Sequence, residues 1–233
     1  MNNMVGLESS RLEPEASPPS APPAPPPQGL LERLPDWLFR AVGGCGFAAY
    51  AVWQASRWGI YDNKVLFAVE TLVFVLIALA YLTRRPAAVR AQGPAEVLLP
   101  LVGAVLPFAF LRTDPTLGPR GTAAVLWVLA AGSALSVAGY VFLRRSFSIL
   151  VEAREPVTSG PYRWIRHPVY AGQIVAATGV LAWRFSWANV ALYVAFVATQ
   201  VTRAALEERK IARAFPAYVE YAKRTWRFVP FVY

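Results

Sequence analysis

The chain has 233 residues, 56% of them hydrophobic and only 16% charged, with a mean hydropathy of +0.37. A soluble globule carries about 25% charge, so these proportions exclude an ordinary soluble domain and place most of the chain in a bilayer. Twenty Arg and three Lys against 14 acids give a net charge of +9, while His167 and Cys45 each occur once. An internal disulfide and a two-His metal centre are thereby excluded, and no metal site is expected.

In chain order, residues 1–35 form a Pro-rich segment with eight prolines between Pro14 and Pro27. It cannot nucleate a helix or bury a core, and reads as a disordered, partly polyproline tail. It lacks the basic start, short apolar core and small-residue cleavage site of a removable signal. Residues 36–233 read as one membrane-embedded domain. Its apolar runs are about as long as the 20 or so residues that cross a hydrocarbon core: Trp37 to Arg57, Lys64 to Thr83, Glu96 to Arg112, Gly121 to Leu143, Val169 to Phe185 and Ser186 to Ala205. The fold class predicted is an all-α integral membrane protein with five to six transmembrane helices. Pro100 and Pro107 interrupt the third run and the fifth is short, so either could be a re-entrant or half-inserted segment. The last two runs are joined by a tight aromatic turn around Arg184 and predict a helical hairpin.

With both termini cytoplasmic, the inner segments carry 18 Lys and Arg and the outer links five (Arg57, Lys64, Arg112, Arg120 and Arg184). That distribution follows the positive-inside rule. The basicity is thus a cytoplasmic rim against anionic lipid, and no nucleic-acid partner is implied. Within the second run, Glu70 is a functional candidate by its cost in the bilayer; snorkelling or an ion pair with Lys64 is the alternative. Gly43, Gly44 and Gly46 read as a close-packing patch, and Cys45 among them as a packing residue.

The link from Arg154 to Gly172 concentrates the chemistry. Pro168 can occupy the first position of a helix without losing a hydrogen bond, leaving the N–H groups near His167 to Tyr170 as a helix N-terminus that favours a carboxylate. Tyr162 and Tyr170 offer flat faces to a heterocycle, and Arg154, Arg163 and Arg166 can pair with a carboxylate or phosphate. For the arginines alone, a basic interfacial loop with belt aromatics is an equally simple explanation. Downstream, Arg203 and Glu207 are four residues apart on one helix face, either a surface ion pair or part of a site. No glycine-rich turn after a strand is present, as a Rossmann-type methyltransferase would need.

Gly160-Pro161-Tyr162, Arg166-His167-Pro168-Val169-Tyr170-Ala171-Gly172, the hairpin, Glu207-Glu208 and Phe215-Pro216-x-Tyr218-x-x-Tyr221 together resemble the isoprenylcysteine carboxyl methyltransferase family, relatives of the membrane phospholipid methyltransferases. The resemblance covers residues 121 to 230, with a catalytic core at 157–230; Pro216 stands where the family often has Gly, and the N-terminal third shows no match. It implies an S-adenosylmethionine-dependent methyltransferase whose cofactor site faces the cytosol, built from the loop before the hairpin and the C-terminal segment. Cofactor-binding residues by this analogy are Arg154, Glu155, Pro156, Val157, Tyr162, His167, Pro168, Val169, Tyr170 and Glu207; Arg203 is the catalytic candidate beside the substrate.

Methyl transfer from a sulfonium depends chiefly on positioning, which can contribute about 7 to 11 kcal/mol. A carboxylate or thiolate nucleophile would need no general base, and His167 reads as a binding or helix-start residue, with a general base as the alternative. The expected acceptor is lipophilic or lipidated and the bilayer is the other partner, in a bacterial inner membrane or an endoplasmic reticulum. The alternatives are a non-catalytic transport or assembly protein and an NADPH-dependent lipid reductase on a related scaffold.

Overall fold

The computed structural model describes residues 34–60, 64–110 and 116–231. Almost all of the predicted Pro-rich tail, residues 1–33, lies outside the described residues, as do Arg112 at the end of the third run and the C-terminal residues 232–233. Among the described residues the chain is helical, with no strand and two isolated backbone bridges. Seven α-helices follow in order among these residues: α1 (Asp36–Ser56), α2 (Lys64–Thr83), α3 (Pro94–Val105), α4 (Pro119–Leu143), α5 (Pro168–Trp183), α6 (Trp187–Ala214) and α7 (Tyr218–Lys223).

Proline sets three of the helix starts. Pro94, Pro119 and Pro168 occupy first-turn positions of α3, α4 and α5, where the missing N–H removes no intrahelical bond. α6 begins instead at Ser186, whose hydroxyl accepts the Asn189 N–H at 3.1 Å, a side-chain N-cap. Two segments have the length and apolarity of a bilayer crossing, Arg120–Ser146 and Trp187–Ala214. Phe67–Thr83, Pro94–Val105 and Pro168–Trp183 are apolar but shorter.

The third run is interrupted at Pro107, one of the two prolines from which a break is expected, while Pro100 is accommodated inside its helix. Its helix stops at Val105 and a 3₁₀ turn takes over at Leu106–Ala109. Pro107 has no N–H to donate, so the α-helical ladder cannot continue through it, although Leu106 before it keeps helical dihedrals (φ −51°, ψ −40°). Twelve helical residues rise about 18 Å, short of a hydrocarbon core of about 30 Å. α6 departs in the other direction, running past Ala205 to Ala214, so Glu207, Glu208 and Lys210 lie on a helical extension of the apolar stretch.

α5 and α6 are joined by three residues, as the hairpin predicts, yet α5 packs most extensively on α4. The reason is two matched small-residue rows, Gly132, Ser136 and Gly139 on α4 and Gly172, Ala176 and Gly179 on α5. A Cβ placed on Gly132 would lie 2.5 Å from the Ala176 nitrogen and 2.6 Å from the Gly172 oxygen. The backbones approach as closely as small residues allow in a membrane interface. α1 packs on α2 by the same device, Gly43 against Tyr81 and Gly44 against Leu82. The glycine patch is therefore a packing surface at Gly43 and Gly44, but Gly46 meets nothing and Cys45 is exposed, which corrects its reading as a packing residue. α3 crosses α6 where Gly103 meets Thr199 and Gln200. The buried core joins Ile77 and Tyr81 of α2, Tyr140 of α4, Val169 and Tyr170 of α5, Ala204 of α6 and Phe147 of the following loop.

Candidate active site

The chain from Phe147 to His167 crosses one end of the bundle, fixed by backbone pairing on both sides. Ala153 exchanges hydrogen bonds with Val89. Arg166 and His167 donate to the carbonyls of Trp226 and Arg227 at 2.7 and 3.1 Å, so the C-terminal segment is laced to the motif. Gly160 makes the turn between them with φ of +60°, against the Phe142 ring, a conformation that glycine adopts without strain.

Beneath this loop lies a cavity of about 730 Å³. Ten of the eleven residues singled out from the sequence line it: Arg154, Glu155, Pro156, Val157, Tyr162, His167, Val169, Tyr170, Arg203 and Glu207. Pro168 does not; it is fully buried as the start of α5. Glu155 sits at an exposed edge and pairs with Arg85 at 2.6 Å.

Arg203 and Glu207 form a network in the wall. Arg203 Nε donates to Glu207 Oε1 at 3.0 Å and its Nη2 to the Ser148 carbonyl at 3.2 Å. The Tyr170 hydroxyl donates to the same Glu207 oxygen at 2.6 Å. The Arg203 guanidinium lies 4.7 Å from the centre of the Tyr170 ring, a cation–π contact. His167 stacks with the same ring, centres 5.3 Å apart and planes within 7°.

Glu208, the second of the paired acids, does not line the cavity but ties three chain segments together. It accepts from Arg166 Nε at 2.8 Å and Arg227 Nη2 at 2.7 Å, and His167 Nε2 lies 3.1 Å away. Arg166 in turn donates to the carbonyls of Ala222, at 2.6 Å, and Thr225. The His167 nitrogen is thus engaged by Glu208, which favours a structural and stacking role for the ring over a free base. Tyr221 donates to the Tyr162 carbonyl at 2.7 Å. Burial pushes its phenol up to about 12 and the Tyr162 phenol well above the ordinary tyrosine value, so both remain neutral donors at physiological pH.

Arg154 is held differently. It is 4% exposed and its Nη2 donates to Glu152 Oε2 at 2.7 Å. Glu152 also accepts from Ser148 Oγ at 2.7 Å and lies 3.9 Å from Arg84, which reaches Asp36 of α1 at 3.2 Å. Arg154 Nε and Nη1 nevertheless have no partner. Sequence reading missed Asp36, Arg84 and Glu152; the signal available for Glu152 was its place two residues before Arg154 on an extended segment, where alternate side chains share a side. It also missed Lys210, which reaches Glu96 of α3 and the carbonyls of Arg90, at 2.8 Å, and Val151.

The comparisons bear on this same end of the bundle. Residues 122–217 match the sequence model of the phospholipid methyltransferase family, which is related to the isoprenylcysteine carboxyl methyltransferases. The matched stretch covers 96 of the 233 residues. It spans most of α4, the motif loop, α5 and α6, and so contains Arg154, Tyr162, His167, Tyr170, Arg203 and Glu207. The match suggests a membrane methyltransferase. Curated relatives include the cobalt-zinc-cadmium resistance protein CzcN of Cupriavidus metallidurans, 41% identical over 75 residues, 32% of this chain and 35% of that one. The nickel-cobalt-cadmium resistance protein NccN of Alcaligenes xylosoxydans xylosoxydans is 37% identical over 82 residues, 34% of this chain and 38% of that one. The chain thus spans little more than a third of the length of the curated relatives it matches.

Proposed function

We propose that the chain is an S-adenosylmethionine-dependent methyltransferase acting on a lipophilic or membrane-associated acceptor with a carboxylate, thiol or amine nucleophile. The observation that carries this reading is Arg154, a guanidinium at 4% exposure with two unpartnered nitrogens in a cavity wall. A buried cationic donor without an acceptor is costly, and a carboxylate such as that of the cofactor's methionine end would complete it. The rest of the wall fits the same ligand, with Tyr162 and Tyr170 beside Val157 and Val169 for an adenine-sized ring and Glu207 opposite as an anion for its cationic groups. Bound there, the cofactor supplies an electrophilic methyl group on a sulfonium.

The chain's own residues then act by position. Arg203 is held on two sides by Glu207 and the Ser148 carbonyl, which fixes its guanidinium for an anionic acceptor. Glu152 holds Arg154 in place and is itself engaged by Ser148 and Arg84. The apolar wall of Ile77, Phe147, Leu129 and Phe196 admits a lipophilic acceptor and excludes water. We read the six apolar segments as a multi-pass bundle in a bacterial inner membrane with both termini cytoplasmic.

The test is equilibrium binding of tritiated S-adenosylhomocysteine to detergent-purified protein. Arg154→Met should weaken binding about tenfold or more, since a charged hydrogen bond is worth about 1.5–3 kcal/mol; Trp164→Phe, exposed on the same loop, should not. Unchanged affinity in Arg154→Met would remove the basis of the assignment.

A further inference from the structure

The cavity does not end at Arg203. It continues along α2 past Ile77, Phe74 and Val73 to Glu70, where Tyr50, Trp53, Gln54 and Arg57 of α1 close it. Ile77 marks the near end on α2, and Glu70 lies seven residues earlier on the same helix. At 1.5 Å per residue these two are about 10 Å apart.

We propose that this remote end recognises the far terminus of an elongated apolar substrate, and that this terminus carries a hydrogen-bond donor, a hydroxyl or an amine. The proposal rests on the methyltransferase reading only for its statement that the near end holds the reacting group. Three observations support it. An acid among apolar helices is expensive unless it has partners, and Glu70 has a weak one, Gln54 Nε2 at 3.3 Å. The neighbouring cation does not neutralise it, because Lys64 is six residues away, some 240° around the helix, and donates to the Trp58 carbonyl at 2.6 Å. Gln54 is itself 4% exposed, so the pair is a built feature of the wall between two helices.

An independent observation shows that the cavity is made for a polar ligand as well as an apolar one. Gln200, 1% exposed, lines it one turn from Arg203. Its Nε2 donates to Gln173 Oε1 at 2.5 Å, and Gln173 donates to the Tyr140 hydroxyl at 3.2 Å, while Gln200 Oε1 has no partner. Turning both amides merely leaves Gln200 Nε2 unpartnered instead. The apolar passage therefore has a polar station near each end, Gln200 beside the reacting residues and Glu70 with Gln54 at the far wall.

The experiment is scintillation-proximity binding of tritiated dodecanol to the full chain in detergent, with unlabelled dodecanol, dodecylamine and dodecane as competitors and no cofactor present. Dodecanol and dodecylamine should displace the label about tenfold or more better than dodecane, because a site whose wall offers an acceptor to the ligand's donor discriminates against ligands lacking that donor. Glu70→Leu should abolish that preference, Glu70→Gln should retain it in part, and both should bind S-adenosylhomocysteine as the native chain does. Equal displacement by dodecane in the native protein overturns the proposal without recourse to any variant. A preference that survives Glu70→Leu but disappears in Gln200→Leu places the donor at the wrong end and also overturns it. Loss of S-adenosylhomocysteine binding in the native protein would instead strike the methyltransferase reading and leave this measurement standing.

Discussion

Glu208 offers the sharpest test of how the site is held. Its carboxylate, 13% exposed, sits between Arg166 at 13% and Arg227 at 19%, with His167 as third neighbour. Glu208→Gln keeps one acceptor oxygen but removes the charge, leaving two largely buried guanidiniums facing a neutral amide. Breaking one partner of a buried pair costs about 3–5 kcal/mol; the retained acceptor and partial exposure reduce this to about 2–3 kcal/mol. For a chain of this length each kcal/mol corresponds to about 2–4 °C of melting temperature, so Glu208→Gln should melt about 4–12 °C lower. The assay is thermal unfolding in detergent followed by tryptophan fluorescence, combined in a double-mutant cycle with Arg227→Met. A coupling of about 1–3 kcal/mol is expected for residues in direct contact. Additive effects of the two substitutions, or a Glu208→Gln melting temperature within about 1 °C of native, would refute the role of Glu208 as the tie between α6, the motif and the C-terminal segment.

The division of labour in the cavity wall predicts that Glu207→Ala weakens cofactor binding, whereas Arg203→Ala leaves cofactor affinity and lowers turnover; equal loss of cofactor affinity in both variants would count against it. Gly172→Val should destabilise by more than the usual 1–3 kcal/mol of overpacking, since a Cβ there meets the Gly132 carbonyl oxygen at 2.5 Å, and a melting temperature equal to native would show that α4 and α5 can separate at no cost. Tyr221 gives a pH prediction. Its pKa is raised from 10.0 to about 12 by burial, so the folded state retains a proton that the unfolded state releases, and the associated stability is complete below pH 10 and lost as pH rises toward 12. The ultraviolet phenolate titration of native protein minus Tyr221→Phe should show a step near 12; a step near 10 would contradict the burial.

Much of the bundle is legible from apolar length and helix punctuation. Lys64–Thr83 has the bounds that its uninterrupted run predicts, and Pro168 starts α5 as its position before a run of helical residues requires. In the third run Pro107 marks the break that the structure shows, whereas Pro100, which predicts a second, lies inside the helix. Ten site residues line one cavity, a set implied by the family resemblance; spacing by itself shows only that the Arg154–Gly172 link concentrates reactive side chains and that Arg203 and Glu207 share a helix face. The charges supporting them cannot be read even to that extent. Asp36 meets Arg84 across 48 residues and Glu208 meets Arg166 across 42, separations at which no local periodicity operates. Lys64 and Glu70 look adjacent in sequence, but their angular separation on the helix sends each to a different partner.

The measurement closest to the central claim is transfer of label from S-adenosylmethionine, labelled in its methyl group, by purified chain in a membrane lipid extract. Parallel binding is measured for S-adenosylmethionine, S-adenosylhomocysteine and NADPH. The expected result is saturable binding of the two adenosyl compounds, none of NADPH, and label in a lipid-soluble fraction that disappears with Arg203→Ala. Folded protein that binds NADPH but neither adenosyl compound, or that transfers no label to any fraction, would contradict the assignment.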